Sequence, residues 1–203
     1  MRNAAVTKAN ILRAAEEEFS EKGIYGARVE EIAKKSGSNK RMIYEYYGNK
    51  EDLYMVVLEN AYNRLSEKEE FIFHHVTDCE KAVEDIIRMY YDFLANDEKF
   101  VNMIMWENLN RAEYMKRSES FGTLKNPLLT SLHKILEKGK KEKIFRDDIN
   151  EEQLAVLLIT SSFSYFSNVH TLSYLMKTDL TDTEKMEKRV EMVVKMILDF
   201  IKV

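Results

Sequence analysis

Cysteine, proline and glycine are scarce in this chain, at one, one and six of 203 residues. A lone Cys79 excludes an internal disulfide framework and fits a reducing compartment, so a cytoplasmic location is expected. Few helix breakers, beside many Leu, Ile, Met, Glu and Lys, favour an all-α chain. Gly-rich phosphate loops are missing. His74 and His75 are adjacent, so they do not share a helix face, and neither a His-Glu-x-x-His pattern nor a Cys cluster accompanies them. No metal or cofactor is therefore expected, and Cys79 lacks the flanks of an activated nucleophile. An enzyme reading would need a hydrolase metal site built from distant His and Glu; the chain is expected not to be an enzyme. Arg13, Glu16, Glu17 and Glu18 interrupt the N-terminal apolar stretch, so no signal peptide is indicated.

Residues 154–176 contain no Asp, Glu, Lys or Arg. About 20 apolar residues suffice to span a bilayer. Thr160, Ser161, Ser162, Ser164, Ser167, Asn168, His170, Thr171 and Ser173 make this stretch too polar, and it lacks a basic flank. A helix buried on several sides in a soluble protein is expected instead, with no membrane partner.

Net charge is −4, but it is unevenly spread. Residues 1–50 hold ten Lys/Arg against seven Asp/Glu, and the remainder holds 21 against 28. Because exposed charges more than about 8 Å apart are largely screened at physiological salt, a positive head on an acidic body still suits local phosphate binding.

Residues 29–53, VEEIAKKSGSNKRMIYEYYGNKEDL, carry the functional signal. Val29, Ile32 and Ala33 share one helical face, and Gly37 then breaks the period where a turn needs a residue without Cβ. Asn39 follows as an N-cap. From there Met42, Ile43, Tyr46 and Tyr47 can face inward, while Lys40, Arg41, Tyr44 and Glu45 stand outward; Gly48 ends the helix. Asn49 with Asp52 caps the next one. This is helix-turn-helix spacing, in which the first residues of the second helix reach base edges in the major groove. Arg41 suits guanine and Asn39 suits adenine, while Lys40 suits bases or phosphates. Tyr44, Tyr46 and Lys50 lie further along and suit phosphate or sugar contacts. Taken alone, Asn-Lys-Arg would read as a solvated helix face.

The whole segment resembles the head of the TetR/AcrR family of one-component transcriptional repressors. That head runs helix, Gly, aromatic, Val-x-x-Ile-Ala, a Gly turn, Tyr-x-Tyr-Phe and Ser/Asn-Lys-Glu-x-Leu; here these positions are Phe19, Gly23, Tyr25, Val29, Ile32, Ala33, Gly37, Tyr44, Tyr46, Tyr47, Asn49, Lys50, Glu51 and Leu53. The resemblance implies a recognition helix at about residues 39–46, with Tyr46 and Lys50 as phosphate contacts. Arg28 stands where the family often has a hydroxyl cap; it cannot accept from helix amides and is read as a charged phosphate contact. Tyr47 replaces the usual Phe, so its hydroxyl needs a partner.

The implied architecture is an N-terminal three-helix helix-turn-helix head, residues 1–50, and a larger helical effector-binding and dimerisation domain, residues 51–203. A long helix is expected from Lys50 to about Phe73. Thr77 with Glu80 signals another, carrying Val83, Ile86, Ile87, Tyr90 and Phe93, and Asp97 opens a third with Phe100, Ile104, Trp106 and Leu109. Asn126-Pro127 starts a helix to about Lys141, and Asn150 with Gln153 caps the next. Thr181 and Glu184 open the last, whose Met186, Val190, Val193, Val194, Ile197, Leu198 and Ile201 recur at helical spacing.

In the resembled family the last two long helices form a four-helix dimer interface, so Val190, Val194, Ile197 and Ile201 are assigned to a homodimer contact; intramolecular core is the simpler reading. The resemblance also implies a small-molecule effector and a palindromic double-stranded DNA operator. Tyr90, Met103, Trp106, Glu107, Phe121, Phe163, Phe166 and His170 are the pocket candidates, with Met89, Phe93 and Leu124 as further apolar wall. Glu107 reads either as a ligand anchor or, more simply, as an i,i+4 partner of Arg111. The expected function is a DNA-binding repressor released by its effector. The alternative is the same fold acting as a protein-binding adaptor.

Overall fold

The computed structural model describes residues 4–73, 78–123 and 127–203. These form helices α1 (Ala4–Gly26), α2 (Val29–Ser36), α3 (Lys40–Tyr47), α4 (Lys50–Phe73), α5 (Cys79–Asn96), α6 (Glu98–Leu109), α7 (Glu113–Arg117), α8 (Glu119–Thr123), α9 (Pro127–Lys141), α10 (Glu151–Ser167), α11 (Val169–Met176) and α12 (Thr183–Ile201), with no strand among the described residues. The all-α class is as expected. Thr77, Leu124 and Asn126, given roles from the sequence, lie outside the described residues.

The helices group into two compact units, residues 1–64 with 98–124 and residues 65–97 with 125–203. This grouping does not follow the cut at residue 50. In the first unit Ile11, Phe19, Ile32, Ile43, Tyr54, Leu58 and Met103 make one buried cluster, so α6 shares a core with the helix-turn-helix. Phe19 and Tyr54 meet edge to face at 5.1 Å, as do Tyr54 and Tyr114 at 5.0 Å. In the second unit α5 is central, and its Val83, Ile86 and Ile87 pack with Leu132 and Leu136 of α9, Leu158 of α10, and Val193 and Ile197 of α12. Each fully buried aliphatic or aromatic side chain stabilises by about 1.5–3 kcal/mol relative to exposure.

Local signals placed the helix ends well where the cap was the nearest polar side chain. Asn150 Oδ1 accepts from the Gln153 amide at 2.9 Å, as expected, whereas α5 is capped by Asp78, one residue after the expected Thr77, accepting from the Lys81 amide at 3.0 Å. At α12 the cap is Asp182, which accepts from the Lys185 amide at 3.1 Å, and not Thr181. The Thr181 hydroxyl is already donated to Asp179 at 2.7 Å. The uncharged stretch is also not one helix, since Asn168 separates α10 from α11. Leu109, at the end of α6, is exposed.

The dimer assignment on α12 needs correction. Val190, Val194, Ile197 and Ile201 are buried in the core of their own unit. The helix carries two apolar stripes, and these residues belong to the inward one. The other stripe, Met192, Met196 and Phe200 at i, i+4 and i+8, is about half exposed at 53%, 48% and 51%.

Candidate nucleic-acid interface

The head is built from α1 outward. Gly23, at φ 63° and ψ 175°, turns the chain out of the first helix, and a Cβ there would lie 2.7 Å from the Trp106 ring. That ring covers the corner, and its indole N–H donates to the Ser20 carbonyl at 3.1 Å. Glu18 is fully buried and accepts from Lys22 Nζ at 2.6 Å and from the Arg28 amide at 3.3 Å, with Lys35 Nζ 3.2 Å from its second oxygen. Burial alone would raise this carboxyl, but the three donors together outweigh it and hold the group below the usual carboxylate range. Glu18 thus ties α1 to the start and end of α2.

Between α2 and α3, Gly37 adopts the left-handed conformation at φ 61°, and its amide and that of Ser38 close the end of α2. Asn39 Oδ1 then accepts from the Met42 amide at 2.9 Å. The cap is as expected, but it occupies the acceptor that a bidentate pair with adenine would need, leaving Asn39 its amide N–H₂. In α3 Ile43 is buried, Tyr46 and Tyr47 are half-buried against the core, and Arg41, Tyr44 and Glu45 are exposed. The Tyr47 hydroxyl has the partner it needs, donating to the Lys8 carbonyl at 3.0 Å. Asn49 and Asp52 cap each other's backbone, with Asn49 Oδ1 accepting from the Asp52 amide at 2.9 Å and Asp52 Oδ2 from the Asn49 amide at 3.1 Å.

The expected DNA contacts differ in how free they are. Arg28 caps α2 without a side-chain bond, as its chemistry requires, and is exposed. Arg41 is exposed too, and neither has a carboxylate partner among the described residues. Lys50 Nζ donates to the Ala27 carbonyl at 3.2 Å, and Tyr46 lies under Lys8 Nζ at 5.2 Å. Lys40 is bonded to Glu30 in the first turn of α2, a partner that sequence spacing did not reveal because it sits across the turn. Lys34 is a further exposed cation that motif matching passed over.

The pocket candidates divide between the units. Met103, Trp106, Glu107 and Phe121 belong to the first; Tyr90, Phe163, Phe166 and His170 belong to the second. Met103 is head core. Glu107 accepts from the Tyr54 hydroxyl at 3.0 Å and the Met115 amide at 3.3 Å, so the expected Arg111 pair does not form. The helix stops at Leu109 and Arg111 turns to φ 59°, which takes it off the next helical turn. Phe121 packs edge to face on Tyr62 at 5.0 Å. Tyr90 is buried and donates to Glu69, whose carboxyl burial pushes up. Phe166 packs on Tyr91 at 5.8 Å, Phe163 is half-buried, and His170 is exposed. An open groove of about 970 Å³ beside α9 is lined by Glu137, Lys138, Lys140, Lys141, Glu142 and Asp147, none of them a candidate. No helix among the described residues is long and apolar enough to cross a membrane.

Comparison with known proteins gives the family and the fold. The family model described as bacterial regulatory proteins, tetR family, matches residues 11–56, and the tetracyclin repressor-like C-terminal domain matches residues 80–197. The HTH-type transcriptional repressor NicS of Pseudomonas putida is 33% identical over 178 residues, covering 88% of this chain and 84% of NicS. The HTH-type transcriptional repressor SCO4008 of Streptomyces coelicolor is 34% identical over 108 residues, 53% of either chain. In fold, the fatty acid degradation regulator FadR of Bacillus halodurans superposes with a TM-score of 0.69 at 23% identity, covering 96% of this chain and 100% of that one. With both family models matched on the two parts of the chain and a repressor aligned over most of it, the protein belongs to the tetR family of bacterial regulatory proteins and is a DNA-binding transcriptional regulator.

Proposed function

We propose that the chain acts in the cytoplasm as a homodimeric repressor that holds a palindromic operator through the start of α3 and releases it on binding a small-molecule effector. The observation that carries this reading is the exposed Arg41, one residue into a capped recognition helix and without a carboxylate partner among the described residues. Arg28, Asn39, Lys40, Tyr44, Tyr46 and Lys50 are its proposed supporting contacts, mostly to phosphate. The dimer contact moves to the outward stripe Met192, Met196 and Phe200, with the exposed Val156 and Ile159 of α10, because a row of half-exposed large apolar side chains at helical spacing needs cover.

Release requires the effector to bind the two states unequally, since equal affinity shifts nothing. Two successive residues of α6 favour this helix as the route to the head: Trp106 bonds α1 and Glu107 bonds α4. A displacement of α6 would disturb both helices on which α2 and α3 rest. Those contacts take Trp106, Glu107 and Met103 out of the proposed effector wall and leave Tyr90, Phe163 and Phe166. The deciding experiment is selection of bound duplexes from a random library. A two-fold symmetric consensus, with half-sites about 34 Å apart or a multiple of that, supports the reading; recovery of unselected sequence refutes it.

A further inference from the structure

Of the five cations at residues 28–41, two are tied to carboxylates among the described residues. Lys35 lies within 2.9 Å of Glu17 and 3.2 Å of Glu18, which fixes it to α1. Lys40 is different. It is the first residue of α3, and its ammonium is bonded to Glu30, in the first turn of α2, across the helix-turn-helix corner. Both side chains are exposed, at 47% and 58%, so the pair is held loosely and exchanges readily for another anion. Glu30 therefore presents an oxygen anion to Lys40 beside the end of the helix that reads DNA.

We propose that Glu30 serves as an intramolecular substitute for a DNA phosphate, keeping Lys40 out of loose, non-specific complexes and yielding it only where a close fit brings a phosphate to the start of α3. The inference rests on the DNA-binding reading of the head. Its physical basis is charge balance. A cation that neutralises a phosphate releases a condensed counterion, and this term supplies nearly all non-specific affinity. Lys40 paired with Glu30 adds no net charge to that term. If a phosphate displaces Glu30, the freed carboxylate stands among phosphates and offsets most of the gain, so only a complex with further contacts to bases makes the exchange worthwhile. Arg28, Lys34 and Arg41 carry no such partner among the described residues and stay available in either mode.

The test measures binding of the full chain to a random-sequence duplex and to the duplex recovered by selection, as a function of salt. Glu30→Gln should tighten random-duplex binding and steepen its salt dependence by about 0.9 per head in log–log slope, or about 1.8 for two heads. Between roughly 50 and 200 mM salt, that steepening is an extra loss of about twelvefold in affinity. The selected duplex should gain less, so the ratio of specific to non-specific binding falls. Lys40→Ala should remove the whole gain in the Glu30→Gln background, so that its effect on random-duplex binding is larger there than in the parent. Both positions are exposed, and Glu30→Ser repeats the neutralisation with a residue suited to helix starts. An unchanged random-duplex slope in both Glu30 variants overturns the proposal, as does a Lys40→Ala effect equal in the two backgrounds. A parent chain that binds neither duplex at low salt overturns the DNA-binding reading and this inference with it.

Discussion

Gly23→Ala tests whether the corner under Trp106 is as tight as the geometry implies. Two costs arise. A backbone at φ 63° and ψ 175° is a region populated essentially by glycine, and forcing an L-residue into it costs about 1–3 kcal/mol. The new Cβ would lie 2.7 Å from Trp106 Cδ2 and 2.8 Å from Cε3, closer than carbon atoms pack, and overfilling of this kind costs about another 1–3 kcal/mol. A total near 4 kcal/mol lowers the midpoint of a chain this size by about 8–16 °C. Trp106 is the single tryptophan, so its emission reports unfolding of the unit that contains the corner, while far-UV circular dichroism follows both units. Trp106→Ala removes the clash but not the backbone cost. The double variant should therefore be less destabilised than the two single costs together, by about 1–3 kcal/mol. An unchanged midpoint for Gly23→Ala, or strictly additive losses, would refute the account of the corner.

Three further outcomes are expected. Arg41→Ala should weaken binding to the selected operator by about 1–3 kcal/mol and relax preference at one base per half-site, whereas Lys50→Ala should weaken all duplexes alike; competition binding separates the two. Met196→Asp should give a folded monomer by light scattering, while Val194→Asp should unfold its own unit by burying an unpaired carboxylate, so a folded Val194→Asp dimer would contradict the core placement. Glu18, held below the usual value of 4.5, contributes stability that is full above that pH and lost as pH falls through its lowered native value. Glu18→Gln should therefore melt lower than the parent near neutrality, the gap closing in acid; a gap independent of pH would show that the ion pairs contribute nothing.

What the sequence could reveal was local. Asn39, Asn49 and Asn150 were legible as caps because each bonds an amide within three residues. The helix-turn-helix was legible because its spacing is itself a local pattern. Glu107 was not, since its partner Tyr54 lies 53 residues away and spacing suggested only Arg111. The aromatic candidates divided between the two units for a related reason: composition marks Trp106 and Phe166 as large and apolar but says nothing of which unit each joins. On α12 periodicity found a stripe, but a helix with two apolar stripes has two candidate faces, and only packing against α5 decides which is inward.

The first unit is discontinuous in the chain, since residues 1–64 are completed by residues 98–124. During synthesis, Phe19 and Tyr54 emerge long before Met103 and Tyr114, which complete their packing. At about 5–20 residues per second, the interval between residues 50 and 124 lasts roughly 4–15 s. For that time a nascent head has its turn and caps but lacks α6, the Trp106 cover over Gly23 and the Glu107 bond to Tyr54. Newly made regulator therefore reaches its native head only after the last of these helices has left the ribosome, and truncated products ending within α5 present an open aromatic face to chaperones and proteases rather than a competent reader of DNA.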